Sequence, residues 1–551
     1  MTPTEPKNHL EWLQHLDIRE LLAKDGPLTP WFPACRHEKC NGAEITWFSA
    51  LVPIKLVPKL LKQPGEWDLR IGEGGPSIWS CYKNGKETES YVANGNEKGI
   101  EPLVIHRSFH GLRGPFHELS QEFRLYHNLY PVPTKQYFIH IDENGDESVA
   151  ARYGDNFLDI RTDLLMEFCA IKKVALAVYV DSSRHSKRSL TDLKVESSQV
   201  YHNGERHGYY FGMIKRDQIF DNEFETAATI IGKKYILPKA ASGDSRKKEA
   251  YQEFIIGKDE AGNPMRHTSN PEKLGNYFGK NPQAPHYLTP VFFRADVLAK
   301  YYADPSKYSV EDGYLRCGSL WGLKMDNDHV DFVVVFLGDL GRDLLEAERT
   351  YWLSFNIAPE GRTISKTTFR RGFLAEFADP ERPDLVFKSE YDVFNRKFRE
   401  VANWDFFLPL HDHDKHFLTT LRLLTKDNQA EFDLQLIAFT KVLIDSLNEK
   451  EIKSRLSTAT ENDKGITKLE KFLCEYCKVG YDKHIKFLRG LQDLRSKSAA
   501  HRKGSSYDAL TEELHISDGG QQKVFAELLD SGIEFMRYLR LIMLPKLTPI
   551  S

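Results

Sequence analysis

The sequence predicts an α+β N-terminal region followed by an all-α C-terminal helical bundle, and three observations predict it. β-Branched and aromatic runs between turn signals recur from Ile45 to Leu337, mixed with helical stripes. From about His411 the strand-like runs stop, and apolar residues recur at helical spacing as far as Leu544. At 551 residues the chain exceeds one ordinary core, and its 41% hydrophobic and 28% charged content is that of a globular chain. The expected division is an α+β sensing or regulatory region over 1–405, open to subdivision in two, and a helical bundle over 410–551.

In the first region strands are predicted at Ile45–Val52, Leu103–Ser108, Gln136–Ile141, Val174–Val180, Tyr209–Ile214, Ala227–Ile236, Glu253–Ile256, Leu288–Phe293 and Val330–Leu337. Asn94-Gly95, Asn144-Gly145, Asn203-Gly204 and Gly262-Asn263 are expected at hairpin turns, because Gly and Asn tolerate positive φ. Helices are predicted over Glu118–Asn128, Phe157–Lys172, Ala295–Tyr302, Arg342–Trp352 and Lys366–Phe377. This texture is that of mostly antiparallel pairing rather than regular βαβ alternation. Pro238–Arg246, small, polar and charged, is expected as an exposed loop.

In the second region Phe432, Leu436, Phe439, Leu443 and Leu447 form an apolar stripe over Glu431–Asn448. Ile466, Leu469, Leu473 and Tyr476 do the same over Ile466–Lys478. Asp482 is placed to cap a helix carrying Ile485, Leu488, Leu491 and Leu494. Gln521–Leu544 is predicted as the long final helix. Four helices with short connections make a bundle of ordinary domain size.

The net charge of -4 does not mark the whole chain as a nucleic-acid binder, so any such site has to be a local patch. Seven scattered cysteines argue against a disulfide framework and for a reducing compartment. The opening residues lack the basic and apolar regions of a signal peptide, and no apolar run approaches membrane-spanning length. The expected location is cytoplasmic, with no membrane partner.

The strongest local patch runs from Asp482 to Lys503. It holds seven Lys and Arg (Lys483, Lys486, Arg489, Arg495, Lys497, Arg502 and Lys503) against two acids, Asp482 and Asp493. Neutralising phosphate dominates RNA affinity, so this excess points to RNA contact by Arg489, Lys497, Arg502 and Lys503. Within it Arg495 and His501 stand six positions apart. Arginine grips phosphate with a planar fork, and histidine exchanges a proton near neutral pH. Six residues advance roughly 600° around a helix, so the two share no face of a continuous one. Either the helix ends near Ala500, or a two-fold interface completes the site.

Arg495 and His501, near the end of an inner helix of a C-terminal bundle, resemble the Arg-x4–6-His signature of HEPN ribonucleases. The layout of an α/β region before such a bundle also looks like Apea-type and other abortive-infection proteins of bacteria. The resemblance covers about the last quarter of the chain. It implies metal-independent cleavage of RNA in anti-phage defence or as a toxin, with no cofactor. His501 would be the general base or acid and Arg495 the stabiliser of phosphate charge. Ser496, in the polar position after the arginine, would orient either group. It further implies a homodimer through the bundle, and the bundle's richness in apolar and aromatic side chains makes Phe525, Phe535, Met536, Tyr538 and Met543 interface candidates. A phage-derived or nucleotide trigger is the candidate ligand of the first region.

Two alternatives stay open: a ligand- or protein-binding sensor whose bundle only dimerises, and a metal-dependent hydrolase using His411, Asp412, His413, Asp414 and His416. Against the metal, that cluster immediately precedes a helical run, where Asp412 or Asp414 would serve as an N-cap. Cys35 and Cys40 with Cys474 and Cys477 have weak zinc spacing, and the second pair is better explained as small buried hydrophobes. His106–Arg113 is expected as a polar connection from strand to helix, and Gly338–Arg342 resembles a phosphate loop in placement only. Asp142–Asp146 lacks the glycine position of a calcium loop and is expected as a hairpin.

Overall fold

The structure is a computed structural model and describes residues 9–26, 29–40, 42–67, 69, 76–83, 85–93, 99–114, 116–215, 224–238, 249–458, 460, 462–497 and 520–547. The chain divides into two compact units, 1–248 and 249–551. The first is mostly sheet, and the C-terminal part of the second is helical.

Unit 1 is built on an eleven-stranded sheet. Its strands are β1 (Trp31–Cys40), β2 (Ala43–Pro53), β3 (Tyr130–Val132), β4 (Tyr137–Ile141), β5 (Glu147–Gly154), β6 (Phe157–Arg161), β7 (Val174–Ser186), β8 (Ser198–Asn203), β9 (His207–Lys215) and β10 (Thr226–Ile236). They lie in the order β8-β9-β10-β7-β2-β1-β6-β5-β4-β3, with Glu101–Pro102 added beside β2. Successive side chains of a strand point to opposite faces. On β7, Ala175, Ala177 and Tyr179 therefore enter one core with Phe48, Ala50 and Val52. Leu176, Val178 and Val180 enter the other, beneath helices α1 (Leu16–Ala23) and α2 (Thr162–Lys172). Burial on both faces is why this strand reads as an unbroken apolar run.

One expected helix is corrected here, and one strand is added to those expected. Phe157–Lys172 is not one helix: β6 occupies its first five residues, and α2 begins at Thr162. Leu158 and Ile160 alternate into the core while β6 pairs with β1 and β5, a short period-2 signal masked by the helical pattern that follows. β1 went unpredicted because it contains Pro33. The register shifts between Pro33 and Cys35, a bulge that accommodates a residue lacking an N–H. The Asn144-Gly145 turn is as expected: Asp142 Oδ1 accepts from the backbone N–H of Asn144 and of Asp146, both at 2.9 Å. Asn94-Gly95 and residues 239–246 of the expected loop lie outside the described residues.

Unit 2 contains two cores. The first joins Val291, Phe293, Val333 and Val335, from the paired strands Pro290–Arg294 and Phe332–Phe336, to helices α3 (Leu337–Asp343) and α4 (Glu346–Leu353). The glycines of the phosphate-loop-like segment belong to α3. A Cβ on Gly341 would lie 1.8 Å from the Ser269 carbonyl oxygen, and one on Gly338 would lie 2.2 Å from the Tyr287 ring. Close packing, not phosphate approach, accounts for both.

The second core is helical. Its long members are α5 (Pro383–Ala402), α6 (Gln429–Thr440), α7 (Gly465–Tyr476), α8 (Asp482–Arg495) and α9 (Gln521–Tyr538). The expected boundary near 405–410 is too late by one helix. α5 places Phe387, Tyr391, Phe394 and Phe398 in this core, beside Phe439 of α6 and Phe535 of α9. Their 4-3-4 spacing and Pro383 in the first turn are helix signals carried by the sequence itself. Among the described residues no strand follows Asn356–Ile357; Leu447 makes an isolated bridge to Phe407. No helix among them is long and apolar enough to cross a membrane.

Candidate functional site

Helix α8 is pinned by one face. Ile485, Leu488, Leu491 and Leu494 are at most 2% exposed, so their 3-3-3 spacing fixes which residues turn outward. Its cap position is Tyr481 rather than the expected Asp482. Asp482 opens the first turn, where a carboxylate favours the positive end of the helix dipole.

Arg495 ends α8, and residues 496 and 497 continue it as a wider π turn. A second π turn, Lys441–Asp445, extends α6. Such turns are frequent at functional sites. Here they flank one ion pair: Arg495 Nη1 donates to both carboxylate oxygens of Asp445 at 3.0 Å. The two side chains are 30% and 40% exposed. A pair this open contributes at most about 1 kcal/mol, so a phosphate can displace the carboxylate. Asp445, fifty positions away, was not foreseen. It sits outside the apolar stripe of its helix, and nothing local in the sequence ties it to Arg495.

Ser496 and Lys497 lie on the π turn. His501, Arg502 and Lys503 lie outside the described residues. Among the described residues, three cations of the segment pair with acids of neighbouring helices: Arg489 with Glu470 at 2.6 Å, Lys483 with Glu534 at 2.7 Å, and Arg495 with Asp445. Lys486 and Lys497 have no ion pair among the described residues. Counting charge along one helix overstated the patch, because the balancing acids come from α6, α7 and α9.

His484, 3% exposed on α8, packs against the rings of Phe535 and Tyr538. Burial, and then Lys483, push its pKa from 6.5 down to about 4. The folded state thus holds it neutral. Between pH 6.5 and 4 only the unfolded chain takes up this proton, so its stabilisation is complete above 6.5 and falls as pH drops through that window. The expected loss by pH 4 is on the order of 3 kcal/mol. His484→Phe should flatten that part of the unfolding midpoint's dependence on pH; an unchanged slope would refute a buried neutral imidazole.

The other clusters take ordinary roles. Asp414 pairs with Lys441 at 3.0 Å and Asp412 with Lys415 at 2.7 Å, so neither caps the short helix that follows; its cap position is Lys415. Among the described residues no group of three His, Cys, Asp or Glu is placed to hold a metal. Cys35 and Cys40 share β1, with the buried Cys35 thiol pushed up to about 12. Cys477 is buried as expected, whereas Cys474 is exposed. His106–Arg113 opens a hairpin between Val104–Arg107 and Phe116–Leu119 rather than leading into a helix. There Arg107 pairs with Glu118 and lies over Phe109 and Phe116. The five expected interface residues are core instead: Phe525, Phe535, Met536, Tyr538 and Met543 are at most 9% exposed. Among the described residues, Leu541 and Ile542 are an exposed apolar pair in that segment.

No family model, curated protein or solved structure matches this chain.

Proposed function

We propose that the chain is a metal-independent endoribonuclease of the HEPN type, acting as a toxin or in defence against phage. The observation that carries this is the position of Arg495: at the end of a core-pinned helix, next to a π turn, with the open carboxylate of Asp445 as its ion-pair partner among the described residues. A phosphodiester can replace Asp445, and the guanidinium fork matches two of its oxygens. The RNA 2′-oxygen then attacks phosphorus, its proton passing to His501, and the bond to the 5′-oxygen breaks as that oxygen takes a proton from water. The products are a 2′,3′-cyclic phosphate and a 5′-hydroxyl. Arg495 offsets the charge developing on phosphorus oxygens, Ser496 orients the pair, and Lys497, Arg502, Lys503 and Arg489 hold flanking phosphates. The protein works as a homodimer through the helical region, with a cytoplasmic location and a sensing role for the first region.

Arg495–Asp445 also favours a second reading, a binding sensor whose helices dimerise without catalysis, since the arginine already has an acid partner. Mixing Arg495→Ala with His501→Ala subunits separates the two. A composite nuclease site gives mass consistent with a dimer at micromolar concentration and partial recovery of RNA cleavage on mixing. A strictly monomeric, fully active wild type would refute the shared site, and a dimer that never cleaves RNA would support the sensor.

A further inference from the structure

Unit 1 contains a cavity of about 810 Å³ between the end of α1, the side of α2 that carries Met166, Glu167 and Ala170, the start of β9 and the end of β10. That volume is typical of small-molecule sites. It arises from the strand pattern. Lys234 alternates onto the same face of β10 as Ala228 and Ile230, which enter the core under the two helices, so a lysine is directed where the sheet is otherwise apolar. Lys234 is 7% exposed, and its ammonium donates to the carbonyls of Leu21 at 3.2 Å and Gly26 at 3.3 Å. Burial pushes its pKa down, and Asp25 offsets this only in part. A buried cation with incomplete compensation is costly, and an incoming anion relieves that cost.

Two more cations line the same cavity, Lys24 after α1 and Arg206 before β9. Neither has an ion pair among the described residues. Of the two lining acids, Glu167 already accepts from the Tyr126 hydroxyl at 3.2 Å. Leu22, Met166 and Ile171 supply an apolar part of the wall, and His207 and Tyr235 also line it. Three cations from three chain segments face two carboxylates, Asp25 and Glu167, which leaves the lining net positive, and an arginine fork matches phosphate oxygens.

We propose that this cavity binds a phosphorylated small molecule of nucleotide size, its phosphate at Lys24, Arg206 and Lys234 and its body on the apolar wall. The proposal does not rest on the nuclease assignment, because it is read as binding. The test is calorimetric titration of the full chain with inorganic phosphate, adenosine and the four nucleoside monophosphates. At least one monophosphate should bind saturably, compete with phosphate, and bind about tenfold or more tighter than adenosine does in the adenine case. Arg206→Gln changes an exposed side chain and should weaken binding about tenfold with the unfolding midpoint unchanged; Lys234→Met should weaken it further. Arg495→Ala should leave binding intact, which separates this site from the helical one. No saturable binding by any of the five phosphate probes, or binding indifferent to Arg206→Gln and Lys234→Met, would overturn it.

Discussion

His501→Ala and Arg495→Ala should each lower the rate of RNA cleavage by a factor of about 10²–10⁴ while leaving the fold intact. That factor is about 3–5 kcal/mol of barrier. For Arg495 the fold is spared because its side chain is part-exposed and its pair with Asp445 is worth little. Arg495→Lys should recover little activity, since an ammonium keeps the charge and loses the planar fork. Chelator should have little effect. Cleavage that vanished with EDTA and survived His501→Ala would move the chemistry to another site.

Asp384→Ala should destabilise unit 2 by about 3–5 kcal/mol, the largest structural effect expected of a single substitution here. The carboxylate of Asp384 accepts from Arg382 Nε and Nη2, both at 2.6 Å, with the two side chains 1% and 6% exposed. Arg382 Nη1 also donates to the Asn327 carbonyl at 2.9 Å, tying the start of α5 to the chain before Phe332–Phe336. Removing the acid leaves a guanidinium buried without its counter-charge. Chemical denaturation is the measurement. Arg382→Met with Asp384→Leu should regain much of the loss, because a well-packed apolar pair avoids desolvation. A single variant as stable as wild type would show that water reaches Arg382.

Where local pattern decides structure, the sequence was informative. Val174–Val180 is apolar because both of its faces are buried, and Phe432 through Leu447 carry their helix on a stripe. Where distant partners decide it, local pattern misled. β1 forms despite Pro33 because β2 and β6 hold it on either side, and β6 hides beside α2. α5 had its signal in Phe387, Tyr391, Phe394 and Phe398, but the strands before it drew that segment into the wrong region. At the site, Arg495 and Ser496 were legible as residue types in a motif. The carboxylates of Asp445, Glu470 and Glu534, which set the charge around that helix, were not. Lys234 illustrates the same limit, since one lysine in a strand says nothing of the cavity that the two helices leave above it.

The most direct test of the nuclease assignment is analysis of RNA ends after incubation with purified protein in EDTA, wild type beside His501→Ala. The account predicts fragments bearing 2′,3′-cyclic phosphate and 5′-hydroxyl ends with wild type and intact RNA with the variant. Intact RNA with both, or fragments with 5′-phosphate ends, would contradict it.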